Sequence, residues 1–146
     1  KFYDTTIELD LFTTRQGRYR KIYFLFIIMA NVYKNIQATI DQAATNVDMY
    51  TSPAATTSII KTIRIFNTHS GALDVTSTVY DASSTTNFEW DKTNVVADNH
   101  GNLLTYNNLL VLEAGDILKM QTPTTGVINM TAAVLQITRP SEVTIT

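Results

Sequence analysis

The chain has 146 residues, which fits one domain, and it contains 24 threonines, no cysteine and a formal net charge of −2. Without cysteine it forms no disulfide, no thiolate zinc site and no cysteine nucleophile. Residues 1–28 carry five Lys or Arg against three Asp or Glu, whereas residues 29–146 carry six against ten. Because phosphate binding needs clustered basic residues, the main body is predicted not to bind nucleic acid.

Residues 1–28 differ from the rest of the chain in composition. They hold seven of the fourteen aromatic residues, and a basic block at 18–21 precedes the apolar run IYFLFII at 22–28. We expect residues 1–28 to be either an N-terminal arm or upstream sequence ahead of a start at Met29, and residues 29–146 to be a single β-sandwich domain. The apolar run is far shorter than the ~20 residues of a membrane helix, so no membrane partner is predicted.

An apolar run that forms a strand must be covered, because an exposed strand edge invites aggregation. Addition of the run to the sheet edge of a neighbouring subunit would cover it. The predicted subunit contacts are Arg18, Arg20, Lys21, Ile22, Phe24 and Phe26.

From residue 32 onward the dominant period of hydrophobicity is two, which is typical of strands. Residues 32–40 and 47–51 are the first predicted strands, although residues 35–45 also fit a helical spacing. Residues 58–67 are the clearest strand, and apolar side chains on both of its faces place it near the centre of a sheet. Residues 73–80 alternate too, and the turn-forming sequence NTHSG at 67–71 predicts that these two strands form an antiparallel hairpin.

Short strands and turns continue to the end of the chain. The predicted strands lie at 87–90, 93–97, 103–112, 116–122 and 127–138, with a further edge at 143–145. Seven to nine short strands separated by turn signals predict an all-β fold, an antiparallel β-sandwich resembling a jelly roll. The abundance of threonine fits a half-exposed sheet surface.

No residue pattern predicts catalysis. His69 and His100 both lie in turns, where a metal site would need them to converge with a carboxylate such as Asp98. Glu89 and Asp91 are spaced to share one face of a strand, but nothing around them in the sequence would raise a pKa. We therefore predict a protein that is not an enzyme and that uses no metal or cofactor.

Trp90 and Tyr80 allow two interpretations. With Phe88 they could form a stacking platform for sugar rings, which predicts a carbohydrate-binding or host-adhesion module. Alternatively, Trp90 fills the core or anchors a subunit contact, since aromatic residues dominate both settings.

Three segments carry a family resemblance. Residues 59–69 contain the pattern I-R-I-x-N-T, residues 73–81 follow as an alternating strand, and residues 110–119 contain L-x-L-x-A-G-D-x-L. Together with the Val- and Ala-rich residues 127–137, they resemble small β-sandwich virion proteins of tailed bacteriophages. The resemblance covers roughly residues 30–139 and implies a structural part of the virion without catalytic residues.

Such a protein would decorate or cement the capsid, or belong to the tail or its fibres. Its partners would be other virion proteins and copies of itself in a homo-oligomer, with a trimer as one candidate. The carbohydrate-binding or adhesion module is the alternative function.

Overall fold

The computed structural model describes residues 7–8, 23–24, 31–104 and 108–138. Within these ranges the regular structure is entirely strand, and no helix is long and apolar enough to cross a membrane. The strands are β1 (Ile7–Glu8), β2 (Tyr23–Phe24), β3 (Asn31–Thr39), β4 (Val47–Thr51), β5 (Thr56–Asn67), β6 (Leu73–Asp81), β7 (Thr86–Val95), β8 (Asn99–Leu104), β9 (Leu110–Leu112), β10 (Ile117–Gln121) and β11 (Ile128–Thr138).

Nine of these strands form two antiparallel sheets, which confirms the predicted β-sandwich. The four-stranded sheet has the order β4-β10-β6-β7. The five-stranded sheet has the order β3-β11-β5, and both β8 and β9 pair with the remaining edge of β5. Strands β1 and β2 form a separate two-residue pair.

The core lies between the two sheets and is built by strand alternation. Along β11, for example, every second side chain from Ile128 to Val134 is buried while those between are more exposed. Burial of one large aliphatic side chain contributes about 1.5–3 kcal/mol. The largest fully buried side chains are Ile40, Ile60, Ile63, Ile65, Val75, Val95, Leu112, Leu118, Met120, Ile128, Met130 and Val134.

A polar cluster bridges the sheets at one end of this core. The Tyr50 hydroxyl lies 2.8 Å from Ser58 Oγ and accepts a 2.8 Å hydrogen bond from Gln136 Nε2. Ser58 Oγ lies a further 2.8 Å from Ser52 Oγ, and both serines are buried. Because Tyr50 belongs to β4 whereas Ser58 and Gln136 belong to β5 and β11, the cluster joins one sheet to the other.

The predicted hairpin between residues 58–67 and 73–80 is wrong. Strand β5 lies in the five-stranded sheet, where its predicted central position is confirmed, and β6 lies in the other sheet. The fully buried Asn67 directs the crossing, since its side-chain amide donates to Gly71 O at 3.0 Å and to Val95 O at 2.9 Å. These bonds tie the end of β5 to the loop before β6 and to the end of β7, so the chain changes sheets at this turn.

Three other expectations change in detail. The described parts of the strand predicted at 103–112 belong to two strands, β8 and β9, which pair separately with β5. The separate strands predicted at 87–90 and 93–97 are one strand, β7, with an irregularity at Trp90. The helical alternative for residues 35–45 is wrong, because β3 occupies residues 31–39 and pairs with β11 along its whole length. The predicted edge at 143–145 lies outside the described residues.

Asp116 explains the Ala-Gly-Asp part of the sequence motif. The residue is buried, and its carboxylate accepts hydrogen bonds from Glu113 N–H at 2.8 Å and from Ala82 N–H at 3.0 Å. Gly115 has a φ of +89°, and a Cβ there would lie 3.2 Å from Ala82 Cβ. The motif is therefore a structural clamp that holds the turn before β10 against the turn between β6 and β7.

Candidate assembly surface

The predicted subunit contacts lie almost entirely outside the described residues. This holds for Arg18, Arg20, Lys21, Ile22 and Phe26, while Phe24 belongs to β2 and pairs with Ile7 of β1. The six residues therefore stay a prediction, as does the division of the chain at Met29.

Trp90 and Tyr80 are directed to opposite sides of their sheet. Trp90 packs against the core. Its strand, β7, has a β-bulge at this point: Glu89 and Asp91 each have a cross-strand partner on β6, whereas Trp90 has none, and this directs its side chain inward. Tyr80 follows Val79, whose cross-strand partner is the fully buried Leu118, so alternation turns Tyr80 to the outside. The two aromatic rings do not form one continuous platform.

The titratable candidates do not converge into a site. His69 Nδ1 accepts the Gly71 N–H at 3.1 Å inside its own turn, whereas His100 is exposed and lies opposite Phe66 in the sheet. Glu89 is exposed, and Asp91 accepts a 2.8 Å hydrogen bond from the Thr93 hydroxyl. Within the described ranges, no three His, Asp or Glu side chains are placed to hold a metal ion.

Two shallow depressions lie on the described part of the chain. One depression of about 160 Å³ lies between the start of β5 and the turn after β9, and is lined by Ala55, Thr56, Thr57, Glu113 and Ala114. A second, of about 130 Å³, opens beside β3 and is lined by Tyr33, Lys34, Asn35, Lys61, Ala133 and Val134. Neither resembles the larger, largely enclosed pockets that bind small molecules.

The outer face of the four-stranded sheet is polar. Lys119 Nζ lies 3.1 Å from Asp48 Oδ1, and Lys92 Nζ lies 3.7 Å from Asp74 Oδ2. Lys119 Nζ also lies 5.3 Å from the centroid of the Tyr80 ring, within the range of a cation–π contact. Interspersed charges of both signs are typical of a surface that stays in water.

The outer face of the five-stranded sheet is apolar at one end. Tyr33, Leu135, Ile59 and Val111 are consecutive cross-strand partners on β3, β11, β5 and β9. Partners in an antiparallel sheet share a face, so the four side chains form one row across four strands, which we term the apolar belt. Tyr33 is 70% exposed and Val111 is 54% exposed, and Lys61 Nζ covers the Tyr33 ring at 5.1 Å from its centroid.

The apolar belt was not identified from the sequence. Each member sits in an ordinary alternating strand, and nothing local distinguishes Ile59 from the buried Ile60 beside it. The row exists because β11 and β9 place Leu135 and Val111 on either side of Ile59. One sequence feature hints at the belt: residues 58–67 carry apolar side chains on both faces. A central position in the sheet explains that feature equally well, so it does not by itself indicate an exposed apolar row.

Comparison with known proteins leaves the family open. No family model matches the sequence, and no curated protein matches it either. A subunit of Bacillus endospore appendages, described as disulfide-linked pili, is similar in structure with a TM-score of 0.49 and 10% identity, over 77% of this chain and 92% of that one.

Two further structures show a weaker likeness. The first is the virus-like particle of extra small virus from the giant freshwater prawn Macrobrachium rosenbergii, with a TM-score of 0.39 and 14% identity over 88% of this chain and 93% of that one. The second comprises the CBM22-1 and GH10 modules of xylanase 10B from Clostridium thermocellum, complexed with xylohexaose. There the TM-score is 0.34 and the identity 10%, over 84% of this chain and 27% of that one.

Proposed function

We propose that this protein is a structural component of a bacteriophage particle, either a capsid decoration or cement protein or a tail- or fibre-associated protein. It acts through contacts with copies of itself and with other virion proteins, and its place of action is the virion. The observation that carries the proposal is the apolar belt, because apolar side chains exposed in one continuous row are typical of a protein–protein contact. The motifs at 59–69 and 110–119 supply the link to phage virion proteins.

The difference between the two outer faces supports a role in assembly. The four-stranded sheet exposes ion-paired charges, whereas the five-stranded sheet exposes Tyr33 and Val111 in one row. A subunit with an apolar row on one of its two outer faces has a defined orientation in an assembly, with that row inward. Repetition of a modest contact then yields high overall affinity through multivalency.

The proposal includes no catalytic activity and no cofactor. The described histidine and carboxylate side chains do not converge into a group of three, and the two depressions described above are shallow. This arrangement suits a protein that presents surface to partners more than one that encloses a substrate.

A carbohydrate-binding or adhesion module is less well supported by the geometry. Such a module would need Trp90 and Tyr80 on one accessible surface. Instead, Trp90 packs against the core and Tyr80 lies on the outer face beneath Lys119.

Peptide quantification in purified particles tests the proposal. Phage particles from the source of this chain would be banded on a density gradient, and peptides of this chain would be quantified against the major coat protein. We expect the chain to band with the particles at a fixed ratio across gradient fractions. Recovery of the chain only from the particle-free fractions would contradict the proposal.

A further inference from the structure

We infer that the outer edge of β3, which no other described strand occupies, is the acceptor for residues 22–28 of a second copy of this chain, which add to the five-stranded sheet as an extra strand. The inference rests on the self-association in the proposed function and names both partners of the contact. It places the added strand directly beside Tyr33, at the end of the apolar belt.

Among the described strands, β3 is the least protected sheet edge. It pairs with β11 over nine consecutive residues without a bulge, and it contains no proline, no glycine and a single charged residue, Lys34. Sheet edges are normally protected by bulges, charges or shortness. Strand β7 has a bulge at Trp90 and carries Glu89, Asp91 and Lys92, while β4 is five residues long and irregular.

Both faces of the first half of β3 expose apolar groups. Tyr33 is 70% exposed on the outer face. Val32 is 41% exposed on the opposite face, since its cross-strand partner is the buried Gln136. A strand that covers this edge must therefore offer apolar side chains on both of its own faces.

Residues 22–28 have this property. In a strand, Ile22, Phe24, Phe26 and Ile28 would point to one face and Tyr23, Leu25 and Ile27 to the other. The described part of this run, β2, is already extended and pairs with β1. Strand β1 occupies one edge of β2, and no other described strand pairs with β2.

The sequence between the run and β3 favours a second copy over the same chain. A hairpin that folds the run back onto its own β3 needs turn residues such as Gly, Asn or Asp between them. The intervening residues are Met29 and Ala30, and β3 begins at Asn31. The charges also match, because the basic block at 18–21 would approach a body in which residues 29–146 carry ten acidic and six basic residues.

Cross-linking between two differently labelled full-length chains tests the inference. Because the sequence contains no cysteine, the introduced thiols are the only ones that can react. One chain carries Leu25→Cys, and the other carries Asn35→Cys at the exposed centre of β3. The mixture is treated with a short bismaleimide, whose length allows a cross-link even if the strand register differs by a residue or two. The matched control replaces the acceptor with Lys92→Cys on β7, an exposed edge of the other sheet. At micromolar protein we expect heterodimer formation roughly a hundredfold faster with Asn35→Cys than with Lys92→Cys, because contact raises the effective concentration to the millimolar range.

Equal rates for the two acceptors in a protein that self-associates would overturn the inference and leave the proposed function standing. A protein that stays a single chain throughout would overturn both. Amide hydrogen exchange provides an independent readout: the β3 N–H groups that point away from β11 should lose protection in the full-length Phe24→Ser, Phe26→Ser variant, whereas those bonded to β11 keep it. Unchanged protection of β3 in that variant would also overturn the inference.

Discussion

Asp116 shows how one side chain determines the geometry of two turns. We expect Asp116→Ala to lower the free energy of unfolding by about 1–3 kcal/mol, since it leaves two backbone N–H groups near the core without their acceptor. The measurement is urea unfolding at neutral pH. The matched control is Asp74→Ala, because Asp74 is exposed and its ion pair with Lys92 contributes about 0–1 kcal/mol. Equal losses in the two variants would contradict the clamp.

Asp81 is expected to make the stability of the folded state depend on pH in the acid range. The carboxylate of Asp81 accepts hydrogen bonds from the Ser83 hydroxyl and from the backbone N–H of Ser84. These bonds, with that from the Ser83 hydroxyl as the larger cause, hold the pKa of Asp81 below the ordinary 3.8. A carboxyl whose pKa is lowered by folding stabilises the folded state above its unfolded pKa, and this stabilisation is lost as the pH falls through its folded pKa. We therefore expect Asp81→Asn to lower the unfolding midpoint near neutral pH and the difference to shrink below pH 3.8. A difference independent of pH would rule out this role.

Trp90 marks the limit of sequence-based prediction for a single residue. Alternation within residues 87–97 leaves open whether its ring joins an outer platform or the core. The β-bulge decides the matter by shifting the register by one residue, so that Ser77 faces Asp91 and Thr78 faces Glu89. A bulge has no reliable signature in one strand, because it is a property of the pairing between two strands.

At the level of elements, alternation predicted most strands and turn chemistry predicted most of their ends. Residues 47–51 form β4 as predicted, and the predicted strand at 116–122 corresponds to β10. The hairpin failed because the sequence NTHSG specifies a turn without specifying the sheet in which the chain continues. The side-chain amide of Asn67, bonded to the distant Val95 O, provides that information only in the folded state.

The two sheets are joined by more than apolar contact. Tyr50→Phe removes the hydroxyl that accepts from Gln136 and contacts Ser58, so we expect a loss of about 1–2 kcal/mol in the free energy of unfolding. Tyr80→Phe, on the outer face, is the control and should stay within about 0.5 kcal/mol of the wild type. Urea unfolding followed by fluorescence measures both. An equal or smaller effect of Tyr50→Phe would show that the polar cluster does not stabilise the sheet contact.

The distribution of polarity over the whole molecule is the basis of the functional argument. Inner faces form an ordinary apolar core, so the information about function lies on the outer faces. There, two ion pairs lie on the four-stranded sheet and the apolar belt crosses the five-stranded one. Composition and alternation predicted the sandwich, whereas the belt could not be predicted, because it depends on which strands are neighbours and in what register.

The mass of the full-length chain in solution tests the central claim, self-association, most directly. Light scattering coupled to size exclusion would be recorded over a range of protein concentrations. We predict a species whose mass is two or more times 16.3 kDa, and a shift toward the single-chain mass in the Phe24→Ser, Phe26→Ser variant. A wild-type chain that stays at 16.3 kDa at every concentration would contradict the account.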